Sequence, residues 1–333
     1  MKRLLLVYLL LLMSGCTDKS KLTTKDNDIW LIPKDKILNP NAEKDNIPSI
    51  DSPVFTDLKK TILQDSEWVY MYEIDTTVYI FPLSVLETHE IVNAEKNNFF
   101  YSVTYCPRTA SAIIWNRNIN GNVTEFGVSG MLYNENLMPY DRTTDSYWSQ
   151  MLLKCVHGPL IGEQPVTFSM VKTRFSTIKK ASFNGKVLKD NVPELMKKVT
   201  LKGDALHWYG IVEKETPALK QKVMLMKYDQ FTDKNSIYKT HFGNMDLIII
   251  GNKKQEFITS FLLTSESIND TFRPVKNSFP LIMEDQRGNQ FNIFGRIVNG
   301  PDKGKRLHNP VSFSAKKWAW DAFYPSLVFF SVK

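Results

Sequence analysis

Three groups of side chains in this sequence have the types and spacing that chemistry asks for. The first is Cys106, which ends the run Ser102-Val-Thr-Tyr105-Cys106 and is followed by Pro107-Arg-Thr109. The thiolate is the reactive form of cysteine, so a single thiol can act as a nucleophile where an imidazole or positive charge lowers its pKa. The second is His89-Glu90, set between two apolar stretches. An imidazole can move a proton near neutrality or ligate a metal, and a carboxylate can orient it for either task. Neighbours on one element point apart, however, so these two side chains cannot simply pair with each other. The third is Asp141-Arg142 with Asp145 and Trp148. Arg142 could offer its planar fork to a carboxylate or phosphate, stacked on an aromatic ring, or it could tie its loop to the body through Asp145.

These groups give a candidate catalytic pair, Cys106 and His89, and a candidate binding set of Glu90, Tyr105, Asp141, Arg142 and Trp148. A metal site from His89, Glu90 and Cys106 fits no standard zinc spacing, and no metal is assigned. The chain has no phosphate-cradling glycine loop and no serine elbow, and nothing in it calls for a cofactor.

The amino terminus speaks to location. Lys2 and Arg3 precede the apolar run Leu4–Leu12, which at nine residues is too short to span a bilayer; a span needs roughly 20. It ends in Met13-Ser14-Gly15-Cys16, which resembles a bacterial lipoprotein signal: residues 1–15 would be removed and Cys16 acylated. Several acyl chains, each buried CH₂ contributing about 0.8 kcal/mol, make a stable membrane anchor. Thr17 after that cysteine points to the outer membrane of the cell envelope. Residues 16–28 are polar, lack an apolar period and read as a flexible tether. With Cys16 acylated, two of the three cysteines remain, and an oxidising envelope would permit a Cys106–Cys155 disulfide. That bond would close a loop of about 50 residues and stabilise by roughly 3–4 kcal/mol. A reactive single thiol and an inert buried thiol are the other two outcomes open to Cys106.

The elements that must position these groups are mostly strands. Trp68–Tyr72, Thr77–Phe81, Ser102–Tyr105, Ala112–Trp115, Glu125–Val128 and Pro165–Ser169 are short β-branched or aromatic runs bounded by turn residues. Leu83–Ile91 predicts a short helix and Lys179–Lys198 a more helical segment. Ser314–Pro325 predicts an amphipathic helix burying Trp320, Phe323 and Tyr324, with a strand over Leu327–Ser331. Prolines 33, 40, 48 and 53 make the segment before Phe55 an extended strap. The chain also repeats itself faintly. Asp246–Gly251 lies 145 residues after Tyr101–Cys106, and Ile297–Gly304 lies 142 residues after Cys155–Gly162. The fold expected is α+β and mainly β: two diverged β-rich repeats, 29–200 and 201–333, packed as one body with a C-terminal aromatic helix. On this alignment Gly251 stands at the place of Cys106 and nothing replaces His89-Glu90, so any chemistry belongs to the first repeat.

Four landmarks together resemble the bacterial family known as domain of unknown function 3179. They are Trp30–Asp35 leading into Lys44–Pro53; Phe81–Asn93 followed by Thr104-Tyr-Cys-Pro107; Phe126–Asn134 running into Tyr140–Arg142 and Ser146–Gln150; and Trp318–Pro325. The resemblance implies a redox-active or metal-competent Cys-x-x-Cys or selenocysteine motif for the family. Here Thr109 stands where the second cysteine would be. A dithiol resolves a mixed disulfide intramolecularly, and Thr109 cannot.

The formal charge of +7, from 42 basic and 35 acidic side chains, is spread along the chain without an arginine block, so no nucleic-acid partner is expected. Two functions of different class follow. One is a membrane-anchored envelope lipoprotein with redox character at Cys106. The other is a non-enzymatic scaffold that binds a small ligand or protein partner in a cleft between the repeats. The sequence does not decide whether the chain is an enzyme.

Overall fold

The computed structural model describes residues 29–189, 207–214, 221–276 and 278–332, with the backbone alone at His207. The readings of residues 1–28, Cys16 among them, and the boundary between 200 and 201 lie outside the described residues. Within them the protein is mainly β, with many short strands and three short helices, an α+β fold.

After two short strands, Ile37–Leu38 and Phe55–Asp57, the first part forms a hairpin, Trp68–Ile74 and Thr77–Pro82, turned at Asp75 in the left-handed region (φ 55). Its two outer neighbours come from far along the chain. Val171–Arg174 pairs antiparallel with Trp68–Ile74, and Asn184–Leu188 returns parallel to Thr77–Pro82. The helix Leu83–His89 leads into a three-stranded meander of Ile91–Lys96, Phe99–Cys106 and Ser111–Asn116. Phe126–Tyr133, Asn136–Asp141, Tyr147–Ser149 and Lys154–His157 then form a second antiparallel array. The helix Phe175–Ile178 precedes the returning strand.

This order of connections recurs. His207–Glu213 and Lys222–Met226 form a hairpin flanked by antiparallel Ser312–Lys316 and parallel Leu327–Phe329. Ser236–Phe242, Met245–Asn252 and Phe257–Leu262 form a meander. Phe272–Pro274, Leu281–Asp285, Gln290–Asn292 and Ile297–Asn299 form a four-stranded array, and the helix Lys317–Phe323 precedes the returning strand. Local bonds recur as well. Cys155 N–H donates to Glu163 O (2.9 Å) and Gly162 N–H to Cys155 O (3.0 Å). Ile297 N–H donates to Lys305 O (2.8 Å) and Gly304 N–H to Ile297 O (2.9 Å).

Cys106 pairs with Ser111 and Asn252 with Phe257, each the last pair before a four-residue turn. Asn252, not Gly251, therefore stands at the place of Cys106. Strand side chains alternate between faces, so a one-residue slip moves every residue to the wrong side. The burial obeys the structural register: Tyr101 and Val103 share one core, as do Leu247 and Ile249 in the other part.

Both faces of each hairpin are buried, which accounts for the near-continuous apolar runs. One face packs inside its own part: Tyr70 and Phe81 under the first meander, Tyr209 and Met226 under the second. The opposite faces cross over. Val69, Met71, Val78 and Ile80 pack with Ile248, Ile250, Phe257 and Phe261. Val212, Val223 and Leu225, with Trp320 and Phe323, pack with Cys106, Ile113, Trp115 and Trp148. Among the described residues the junction between the two parts is thus filled by core side chains. Polar ties cross as well: buried Glu73 accepts from Arg296 Nε (2.8 Å), Asn292 Nδ2 (3.0 Å) and Arg306 Nη2 (3.2 Å).

Lys179–Lys198 departs from its helical reading where described. Asn184–Leu188 is a strand, because Val187 and Leu188 fill the space beside Thr77–Pro82. Gly185 permits the approach; a Cβ there would lie 2.8 Å from the Leu58 side chain. The C-terminal helix matches its reading, with Trp320 wholly buried, Phe323 and Tyr324 nearly so, and Trp318 41% exposed.

Trp320 tests the crossed packing. Replacing it with alanine is expected to cost about 3–5 kcal/mol, the usual loss for a buried large aromatic. Denaturant unfolding followed by probes in both parts would show one common midpoint falling. Loss of the second part alone, with the first unmoved, would contradict the arrangement.

Candidate functional site

Cys106 ends its strand and turns inward. It is 1% exposed, and its Sγ donates to Glu135 O at 3.7 Å. Burial pushes its thiol up, against contacts from Thr109 that favour the thiolate. Cys155 is fully buried, with Sγ shared between Tyr147 O (3.4 Å) and His157 O (3.3 Å), and burial pushes its thiol up to about 12. Both thiols are free, so the Cys106–Cys155 disulfide allowed by the cysteine count is not formed. Each Sγ is instead directed at backbone carbonyls of its own neighbourhood.

Thr109, two turn residues beyond Pro107, is fully buried in a polar network that the sequence did not announce. Its Oγ1 lies 2.9 Å from Ser111 Oγ and accepts from Asn136 Nδ2 (2.9 Å). Ser111 donates to Gln150 Oε1 (2.6 Å), which also accepts from Asn136 (2.8 Å). Gln150 Nε2 reaches Thr104 O and Oγ1, both at 3.0 Å, and Trp115 Nε1 donates to the same Oγ1 (2.8 Å). Every member has partners, the condition under which a buried polar network is tolerated. In the other part Gln255 stands at the place of Thr109, and those of Thr104, Ser111, Asn136 and Gln150 hold Ile250, Phe257, Phe279 and Ile293. The last is fixed by matching bonds: Gln150 N–H to Leu137 O, Ile293 N–H to Pro280 O.

His89 and Glu90 do other work. His89 closes its helix, and its Nδ1 faces Pro48 O at 2.8 Å, not Cys106. Glu90 sits in the left-handed region (φ 58), ends the helix through its N–H on Leu86 O (2.8 Å) and accepts from Tyr105 N–H (2.7 Å). Tyr105 is 1% exposed and faces the core around Tyr70. Asp141 and Trp148 do meet, Nε1 to Oδ2 at 3.1 Å, but both are fully buried. Trp148 lies edge-on to Trp115 and Phe126, a core contact.

Arg142, the turn residue that follows the strand Asn136–Asp141, grips the strap. It reaches Asp51 Oδ2 (2.7 Å), Asp45 Oδ1 (3.2 Å), Glu125 Oε2 (3.3 Å) and Ser49 Oγ (3.0 Å). Asp145, its partner in the sequence reading, bonds Lys44 instead. Ile50 adds backbone bonds to Ile91 O (2.9 Å) and from Asn93 N–H (2.8 Å), so the strap is held as an added strand edge.

Beside this grip lies a hollow of about 410 Å³, lined by Asp51, Phe55, Tyr79, Glu95, Arg117 and Glu125, with Asn93 at its floor side. Sequence reasoning missed it. The one available signal was the phase of Arg117, which follows Ile113 and Trp115 at intervals of two and so points with buried residues. Arg117 is 6% exposed. Its Nη1 stands 3.6 Å from Glu125, and its Nε is buried without a hydrogen-bond partner. Burial lowers its pKa, opposed by Glu125, Glu95 and Asp51. Two other hollows, about 670 Å³ beside Asn235 and Phe279 and about 620 Å³ beside Lys59 and Lys180, have exposed lysines in their linings.

Among the described residues no group of three or more His, Cys, Asp and Glu could hold a metal ion, and no helix is long and apolar enough to cross a membrane.

Asp51 gives this region a pH dependence. Burial raises its pKa, but hydrogen bonds from Asn93, Arg142 and Ser49 outweigh that and hold the carboxyl below its ordinary value. A carboxylate lowered on folding contributes stability above its unfolded pKa, about 3.9, and loses it as pH falls through the folded value. Hydrogen exchange at residues 44–52 is therefore expected to accelerate below about pH 4 in the wild type. In Asp51→Asn it should already be fast at pH 7 and insensitive to acid. Arg142→Ala should loosen the same segment by about 1 kcal/mol, since the pairs are part-exposed.

Residues 44–198 match a family model described as a protein of unknown function, DUF3179. No curated protein and no solved structure matches the chain. The matched stretch begins in the strap and takes in the Cys106 strand, the Thr109 network, Arg142 and the hollow at Arg117, and this part of the chain belongs to the DUF3179 family.

Proposed function

We propose that this chain is a non-enzymatic binding protein of the bacterial cell envelope. In this reading Cys16 is acylated, residues 16–28 tether the body to the outer membrane, and Cys106 does no redox work. The observation that carries it is the state of Cys106 and Thr109. The thiol is 1% exposed and raised by burial, and the position three residues on is a threonine saturated by Ser111 and Asn136. Thiol exchange needs an accessible thiolate and, for release, a second thiol. His89, the base expected to activate Cys106, is engaged with Pro48.

A duplicated origin for the two parts is supported by the recurring order of connections and by the matched bonds at Cys155 and Ile297. On that reading the second part serves as framework. Apolar residues occupy four of its five network positions, with Gln255 at the fifth, and the polar groups of the first part are what ligand binding has to work with.

Thiol titration of the full chain in detergent tests the proposal. Cys106 and Cys155 should stay silent toward an aromatic disulfide reagent in the native state and react as the chain unfolds. Rapid native-state reaction of Cys106, absent in Cys106→Ser and with an apparent pKa below the free-thiol value of about 8.5, would restore the redox reading.

A further inference from the structure

We infer that the hollow at Arg117 is a binding site for a neutral saccharide, one or two sugar units of a surface glycan. The inference rests on the binding reading above and names its site. Three observations carry it. Arg117 is buried, lines the hollow and leaves its Nε without a partner, so it asks for an acceptor from a ligand. Asp51, Glu95 and Glu125 line the same space and accept hydrogen bonds from donors. Phe55 and Tyr79, 5.0 Å apart and edge-to-face, supply an apolar wall.

Ligand charge decides between classes. An anion, or the carboxylate of a zwitterion, would satisfy Nε but face three carboxylates. A cation without hydroxyl groups would suit the carboxylates and offer Nε nothing, since an ammonium or guanidinium group has no lone pair to accept with. A neutral polyhydroxyl ligand does both, because every hydroxyl is donor and acceptor at once, and the C–H face of a sugar ring packs on aromatic carbon. The volume of about 410 Å³ lies within the range of about 300–1,000 Å³ usual for small-ligand sites. Among the described residues, the hollows beside Phe279 and beside Lys59 hold no buried, unpartnered side-chain atom in their linings.

The second part shows the same backbone without the site. Arg117 N–H bonds Phe100 O (2.9 Å), and Leu263 N–H bonds Asp246 O (2.8 Å), which puts Leu263 at the place of Arg117. By the same register His241 replaces Glu95, and by the hairpin pairing Met224 replaces Tyr79. Framework alone does not require a buried arginine at this position.

Isothermal titration of the full chain in detergent with maltose and with N,N′-diacetylchitobiose provides the test, with spermidine, which has no acceptor, and glucuronate as cationic and anionic controls. At least one neutral disaccharide should bind saturably and more tightly than either charged control. Arg117→Met should weaken that binding tenfold or more. Glu95→Gln, at an exposed position that folding tolerates, should weaken it at least threefold and decides the matter if Arg117→Met fails to fold. Absence of neutral-sugar binding, tighter binding of a charged control, or a folded variant that binds as the wild type does would overturn the assignment. Silent thiols with no sugar bound would sink this site alone, whereas a reactive native Cys106 would sink the underlying reading.

Discussion

The structure depends on hairpins buried on both faces and shared between the two parts. Each hairpin gives one face to its own meander and the other to its counterpart's, so each part has one core of its own and shares two more with the other. Short strands seldom hold a sheet together without such cover, because a small sheet has too little apolar area to offset its ordering entropy. Here the cover is reciprocal. Trp320 and Phe323 close the core that holds Cys106 and Trp148, and Phe175 and Ile178 join the one that holds Ile248 and Phe261. Burying the Cys106 thiol follows from this arrangement: it sits at the seam that the second part seals.

A sealed seam also explains why polarity there is arranged as it is. Thr104, Thr109, Ser111, Asn136 and Gln150 bond one another in a dry interior, where an unmatched polar group costs about 1–3 kcal/mol. Ile250, Phe257, Phe279 and Ile293 show that the same framework can be filled with apolar side chains, Phe257 and Phe279 lying 6.4 Å apart. A network the fold does not require, satisfied without water, fixes one arrangement of the turn 107–110 and the strands beside it. It ties the turn to those strands, beside the buried Cys106. The outward-facing polarity lies elsewhere, between the strap and Arg117.

Much of the framework was legible in the sequence. Alternating aromatic and β-branched runs marked the strands at Trp68, Thr77, Phe99 and Ser111, and the spacing of Trp320, Phe323 and Tyr324 marked the last helix, because local periodicity records which face is buried. What failed was set by tertiary contact. The repeat alignment slipped by one residue at Cys106, since similarity of apolar type does not encode which face of a two-sided strand a residue occupies. Asn184–Leu188 looked helical until the edge of Thr77–Pro82 claimed it. Arg142 had Asp145 close in sequence, yet its partners Asp45 and Asp51 arrive from a strap about 90 residues away. The hollow was invisible for the same reason: Asp51, Tyr79, Glu95, Arg117 and Glu125 come from five separate segments, and none forms a motif with its sequence neighbours.

Asp51 joins these pieces. One carboxylate oxygen accepts from Asn93 (2.7 Å), whose side chain also pairs with Phe126 through N–H to Oδ1 (3.1 Å) and Nδ2 to O (2.8 Å). Its other oxygen accepts from Arg142 (2.7 Å), and the same group lines the hollow. The strap is therefore part of the wall of the hollow as well as a cover over the first meander. Holding that wall requires the charge on Asp51, and Arg142 supplies the counter-charge from outside the hollow. Arg117 is thereby left as the cation within the lining, with Nε unengaged. A ligand that brought its own charge would compete with this balance, and one that brought hydroxyl groups would complete it.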